Sequence, residues 1–405
     1  MSKAGINHNV TRQSKEVMRF EFATATRIIF GPGTISEVAS LSGEFGKRAF
    51  VVTGHTVERA EPLLGRLDKL GIEFVTFNVF GEPSTTIATA AVQAARQAKC
   101  DLVISIGGGS VVDTGKVVAA MLTNSGELED YLEVVGAGRP LTKIAAAHIA
   151  IPTTAGTGAE VTRNAVLSVP EHRVKVSMRS PLLLPRLAVV DPVLTHSMPP
   201  SVTASTGLDA LTQLLEVYVS GQANPMTDGI CREGLLCAGR SLCRAYEDGG
   251  DHDAREDMAM ASLFSGLGLA NAKLGAVHGF AGPLGGMYSA PHGVICARLL
   301  PFVMEANVQA LRRRNAASAA LAKYDEAARL LTGSSSALAA DAVAWVRELC
   351  LALKVPSLAR FGLKQQDFET IAAKAKKSSS MKGNPVELTD DELLDIIRAA
   401  NSRTT

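Results

Sequence analysis

The sequence lacks several things, and each shortage argues against a class of function. Charge imbalance is almost absent: 41 Lys and Arg stand against 40 Asp and Glu in 405 residues. A protein dedicated to nucleic acid usually carries a basic excess or stripe, so no nucleic-acid partner is expected. Aromatics are only 5%, with Trp345 the single tryptophan, too few for base-stacking platforms. Cysteine is sparse. Cys100, Cys231, Cys237, Cys243, Cys296 and Cys350 form no CxxC pair and no disulfide framework. All six read as small core or near-surface residues. No apolar run reaches about 18 residues, so no membrane helix and no membrane partner are expected. The N-terminal MSKAGINHNVTRQSKEVMRF has no apolar signal-peptide core, so residues 1–20 read as a loosely ordered tail. The expected compartment is a reducing cytoplasm.

Glycine is the one surplus: 36 residues, where average usage would give about 28. Divided at Asp191, the glycines fall 18 and 18. The segments on either side of that point differ. Before it, short β-branched runs (Arg27–Phe30, Ala49–Thr53, Phe74–Val79, Leu102–Ile106, Ala145–Ile151, Leu187–Val190) alternate with helical patterns near 34–42, 57–70, 84–98 and 110–122. That alternation predicts βαβ units and a mostly parallel sheet. Residues 161–167 and 173–178 read as an added hairpin. After Asp191 the chain is Ala- and Leu-rich with helical periodicity, at 201–219, 226–245, 254–271, 309–331 and 337–353. Residues 334–336 and 374–385 read as loops. The fold class is an α/β domain over 21–191 followed by an all-α domain over 192–405.

Four segments carry chemistry. In Ile104-Ser-Ile-Gly107-Gly108-Gly109-Ser110-Val-Val-Asp113-Thr114-Gly115-Lys116 a strand runs into three glycines and a helix. Backbone N–H groups there could approach a diphosphate at a helix N-terminus, with Ser110 as the cap, or the segment is simply a tight turn. Ile151-Pro152-Thr153-Thr154-Ala155-Gly156-Thr157-Gly158 places hydroxyls at a strand's carboxyl end, either as a ligand clamp or as a self-capped loop. On a helix, Asp209, Gln213 and Glu216 share one face, as an ion site or a solvated stripe. His278 and His292 lie in an almost uncharged segment where eight glycines fall within 28 residues. Each is a metal ligand or a satisfied core group.

Taken together, GGGSVVDTGK, IPTTAGTGAEVT, MPPSVTASTGLDAL and HGFAGPLG…PHG resemble, in order, the iron-containing (group III) alcohol dehydrogenase family. The resemblance covers nearly the whole chain from Arg27. It implies a dinucleotide-binding α/β domain, a helical metal and substrate domain, and NAD(P) with a divalent metal (Fe or Zn) in the cleft between them. It also implies reversible hydride transfer between the nicotinamide and an alcohol or carbonyl substrate. Residue by residue, Gly107, Gly108, Gly109 and Ser110 match the pyrophosphate loop, and Asp113 and Lys116 the helix after it. Thr153, Thr154 and Thr157 match the cofactor threonine loop, and Lys175 a lysine near the ribose. Asp209, His278 and His292 match three metal ligands, with His278 and His292 also the catalytic candidates.

Three positions depart from the family. Gln213 stands where a fourth ligand histidine is usual; it could ligate through its amide oxygen, and the metal is expected to be more weakly held, different or absent. Gly282 stands where many relatives keep a histidine, which opens space for a bulkier substrate. Gly54 stands where NAD-preferring relatives often carry an acid, which lifts repulsion of a 2′-phosphate and leans the expectation to NADP. Arg59 is the one distant candidate to hold such a phosphate. The rival readings are metal-independent carbonyl reduction with a histidine as general acid, a lyase of dehydroquinate-synthase type, and a non-catalytic nucleotide-binding relative. The family is commonly dimeric or larger, so a homodimer or larger homo-oligomer is expected, with the Arg27–Phe30 strand pairing across a two-fold.

Overall fold

The computed structural model describes residues 19–172 and 174–402; the first eighteen residues of the expected tail lie outside them. The N-terminal half builds β1 (Arg27–Phe30), α1 (Val38–Ser42), β2 (Arg48–Thr53), α2 (Glu61–Lys69), β3 (Glu73–Asn78), α3 (Thr85–Gln97), β4 (Leu102–Gly107), α4 (Gly109–Thr123), β5 (Ala147–Pro152), β6 (Asn164–Val169), β7 (Val174–Arg179) and β8 (Leu187–Val190). Six strands form one parallel sheet in the order β1-β8-β5-β4-β2-β3. Every residue of β4 and β8 is buried, which is why these runs read as continuously apolar rather than alternating.

Side chains still alternate between the two faces. Val51, Ile104 and Ile149 pack with Val38, Leu63 and Leu67 of α1 and α2. Phe50, Val52 and Val103 pack with Ala88, Val92 and Val117 of α3 and α4 on the opposite face. From β2 the chain winds outward to β3; from β4 it winds the other way to β5. The crevice outside the carboxyl ends of β2 and β4 is therefore the topological switch point, the usual ligand position in such sheets. β6 and β7 pair antiparallel as a separate hairpin. It starts three residues later than expected, because Gly158 adopts φ +59° and opens a short 3-10 turn over Ala159–Val161.

The C-terminal half is helical: α5 (Pro200–Val219), α6 (Pro225–Glu247), α7 (His252–Asn271), α8 (Ala276–Met287), α9 (His292–Arg314), α10 (Ala319–Thr332), α11 (Ala339–Ala352), α12 (Phe368–Lys377) and α13 (Asp390–Asn401). Three expectations need correction. The helix predicted over 309–331 is two helices. Asn315 leaves the helical region at φ −156°, and Ser318 caps the next helix by accepting the Ala320 N–H. The loop predicted over 374–385 begins as the last turn of α12 and includes a 3-10 turn over Ser380–Gly383. Finally, α9 has the length and hydropathy of a membrane span, where none was expected. That window is 72% buried inside the protein, so α9 serves as a core helix of this domain.

The two halves are tied at several points. Asp191, just after β8, accepts N–H groups from Gly33, Ile35 and Val193. Asn271 at the end of α7 exchanges two hydrogen bonds with the backbone of Ala23. The threonine loop after β5 lies directly on α7. A Cβ on Gly266 would stand 2.2 Å from the Gly158 carbonyl oxygen, so only two glycines allow this backbone approach.

Candidate active site and metal centre

The crevice at the switch point is walled by two loops. Gly107 ends β4 and Gly108 is the N-cap of α4, with no side chain capping the helix. Ser110, expected as the cap, lies instead within the first turn, and its carbonyl accepts Thr114 Oγ1 at 2.9 Å. The first-turn N–H groups thus lack a side-chain partner at the positive end of the helix dipole. A Cβ on Gly109 would stand 3.0 Å from Thr157 Oγ1, and one on Gly108 3.4 Å from Thr154 Oγ1. Thr153 donates its N–H to the Gly107 carbonyl at 3.0 Å. The glycine and threonine loops therefore lie against each other, so closely that a side chain at Gly109 would crowd Thr157. This donor-rich cradle fits a pyrophosphate.

Behind the cradle, Asp113 Oδ2 accepts the Val166 N–H at 3.0 Å, and Lys116 donates to Thr162 Oγ1 and the Asn164 carbonyl at 2.8 and 2.7 Å. As placed, both side chains clamp the hairpin to α4. Gly54 follows β2, and a Cβ there would meet only Val111 Cγ2, at 3.6 Å. Space does not require glycine at that position. Arg59 donates to Ser197 Oγ at 2.7 Å. Lys175, on β7, pairs with Glu82 at 2.7 Å, and a Cβ on Gly285 of α8 would lie 3.3 Å from its Nζ.

The second constellation lies on three helices. α5 carries Asp209, Gln213 and Glu216, all buried, on the face that the i, i+4, i+7 spacing predicts. α8 carries His278, and His292 is the first residue of α9. α9 is held there by a close approach: a Cβ on Gly293 would stand 2.2 Å from the Ser205 carbonyl of α5. One residue on, Thr206 packs against Gly156 of the threonine loop, so that loop and the start of α9 both meet α5 within a turn of Asp209.

Asp209 Oδ1 lies 3.5 Å from His278 Nε2 and 3.7 Å from His292 Nε2. Cys296 Sγ lies 3.8 and 3.6 Å from the same two nitrogens. All four donor atoms fall within 4.8 Å of one another. Asp209 Oδ1 is buried without a hydrogen-bond partner, as is Gln213 Oε1. Glu216 Oε2 accepts from His278 Nδ1 at 2.6 Å, and Oε1 accepts the Val277 N–H. That bond keeps the proton on Nδ1 and turns the Nε2 lone pair toward the group.

Burial opposes a charge on His278, but Cys296, Asp209 and Glu216 outweigh it and hold the ring well above its usual value. The Cys296 sulfur, with Asp209, raises His292 as well. Burial pushes Asp209 up, and the two rings more than reverse this. Zinc-type bonds of about 2.1 Å to O and N at tetrahedral angles set such donors about 3.4 Å apart, and N and S about 3.6 Å apart. The observed separations of 3.5 to 3.8 Å fit a divalent ion with only slight contraction. The sequence does not single out Cys296, which reads as a small core or near-surface residue though it follows His292 at i+4. Glu216 is expected on the candidate ion-site face, and the structure places it behind His278, against Nδ1.

Residues 25–192 match the profile described as iron-containing alcohol dehydrogenase, and residues 203–401 that of the Fe-containing alcohol dehydrogenase family, C-terminal. The chain belongs to the iron-containing alcohol dehydrogenase family. It is 37% identical over 379 residues to alcohol dehydrogenase 4 of Saccharomyces cerevisiae, covering 92% of this chain and 96% of that one. A crystal structure of 1,3-propanediol oxidoreductase superposes with a TM-score of 0.87 at 34% identity, over 95% of this chain and all of the other. Sulfoacetaldehyde reductase from Bifidobacterium kashiwanohense, in complex with NAD+, gives 0.84 at 27%, with 95% and 100% covered. As a member of this iron-containing family the chain is an NAD(P)-dependent oxidoreductase acting on small-molecule alcohols, with a divalent metal. The expectation from the sequence motifs holds, as does the fold class.

Proposed function

We propose that this iron-containing alcohol dehydrogenase interconverts an alcohol bulkier than the simplest members and its carbonyl, using NADP(H) at least as well as NAD(H). The observation that carries the substrate reading is Gly282. On α8, His278, Gly282 and Gly285 share one face at i, i+4, i+7. His278 reaches the metal centre and Gly285 abuts Lys175 of the α/β half, so the face between them looks across the cleft. A Cβ on Gly282 would have nothing within 4 Å. The space that a histidine occupies in many relatives is left to the substrate.

Bound nicotinamide supplies the hydride acceptor, and a divalent metal held by Asp209, His278 and His292 supplies a Lewis acid for the substrate oxygen. The protein's own part is positional. The glycine and threonine loops seat the diphosphate, and Glu216 fixes the tautomer of His278. The close contact of Gly158 with Gly266 sets how near the two halves lie at the threonine loop, and that of Gly293 with Ser205 fixes the start of α9, and so His292, against α5. The partnerless Asp209 oxygen and the spacing of the donors around it favour this reading over metal-independent reduction with His278 or His292 as general acid. The position of β1 at the edge of the sheet among the described residues supports a homodimer, whose mass in light scattering would be twice 42.5 kDa.

Metal analysis and a substrate panel test the proposal. His278→Ala should abolish turnover and lose metal while fluorescence titration shows NADPH binding intact; full turnover of that variant would overturn the metal reading. Gly282→His should lower kcat/KM for branched or long alcohols by about tenfold or more while sparing short ones, since loss of fit to one or two carbon groups is worth that much. An equal effect on short and long substrates would refute the claim that this space is the substrate's.

A further inference from the structure

Gln213 leaves the metal centre one ligand short of its family, and the structure places another donor beside it. Cys296 lies one turn after His292 on α9, so both project from the same helix face. Its sulfur is fully buried and sits at nearly equal distance from both histidine nitrogens, 3.6 and 3.8 Å, close to the separation of nitrogen and sulfur ligands on one tetrahedral ion. Asp209 Oδ1, buried and without a partner, faces the same point from α5. Gln213 is engaged differently. Its amide N–H donates to Asp209 Oδ2 at 3.3 Å, the only side-chain hydrogen bond it makes among the described residues. That contact steadies the carboxylate from behind.

We propose that Cys296 supplies the fourth protein donor of the metal centre as a thiolate, giving an Asp–His–His–Cys set in which Gln213 only positions Asp209. This inference rests on the metal reading above. On binding, the cation displaces the thiol proton to solvent, so uptake releases protons. A thiolate is a soft donor, and with two imidazoles it moves the site's preference from iron toward zinc. The exchange of donors also explains how a chain lacking the fourth histidine keeps its other three ligands in register: the sulfur enters from a different helix.

Cobalt and zinc added separately to the metal-stripped full-length protein test this. The Co2+ protein should show a near-ultraviolet thiolate-to-cobalt charge-transfer band, absent from Cys296→Ser and retained in Gln213→Ala. X-ray absorption of the wild-type Zn2+ protein, which needs no variant, should show one sulfur neighbour at about 2.3 Å. Cys296→Ser should also weaken Zn2+ affinity beyond the 10–100-fold that loss of a ligand's hydrogen-bond partner produces. Stoichiometric metal with no sulfur neighbour, or a band that survives Cys296→Ser, overturns the thiolate assignment and leaves the metal reading standing. Failure of the wild type to take up either ion overturns both.

Discussion

At the residue scale, the positions that set this chain apart from its family are places where a side chain has been exchanged or removed. Gly54 is the simplest. Nothing crowds it, since a Cβ would make only an ordinary contact with Val111. Packing therefore does not require glycine there. A carboxylate at the end of β2 would accept from a ribose 2′-hydroxyl and repel a 2′-phosphate. Gly54→Asp should therefore move the ratio of kcat/KM for NADPH to that for NADH toward NADH by tenfold or more, equivalent to about 1.4 kcal/mol. An unchanged ratio would show that discrimination lies elsewhere. Arg59, whose guanidinium donates one hydrogen bond to Ser197, would then be the next position to test.

At the element scale, the histidine segment shows what a sequence conceals. Its glycines and Pro283 argue against a helix by propensity, yet 276–287 is helical. Tertiary contact prevails here: Val277, Phe280, Ala281 and Leu284 are buried in the helical core. The same glycines that hid α8 and the start of α9 are what let these helices pack so closely. Gly293→Ala should push α9 away from the Ser205 carbonyl and displace His292. Expected outcomes are a loss of about 1–3 kcal/mol in urea unfolding, as for an overpacked core, together with weaker metal retention. A stable variant with full metal would show that α9 has slack. The strands and the glycine and threonine loops were legible because local chemistry determines them: β-branched runs, then glycine, then a helix start. Asp209, His278 and His292 were legible through motif order. Cys296 was not, because its meaning lies in its distance from residues on two other helices. Ser110 was misassigned because Gly108, in extended conformation, is already the N-cap and starts the helix two residues earlier.

At the scale of the whole molecule, the two halves share a seam that contains a buried acid. Glu160 follows the Gly158 turn, next to Val161, which packs with Val190 of the sheet and with Ala259, Leu263 and Leu267 of α7. Burial pushes its carboxyl from 4.5 up to about 7, only partly offset by its own backbone N–H and by Lys116. The neutral form is thus the one folded into the seam. An unfolded chain gives up this proton above its ordinary value, whereas the folded chain keeps it until about 7. Stability from this group is complete below the unfolded value. It falls as pH rises through that window, by an amount on the order of 3 kcal/mol. Glu160→Gln removes the titration and retains the shape. Its stability relative to wild type, read from urea midpoints of the metal-stripped proteins, should climb steadily across that window and level off above it. A difference between the two proteins that does not vary with pH would mean that Glu160 is ionised in the folded seam, with Lys116 as its counter-charge.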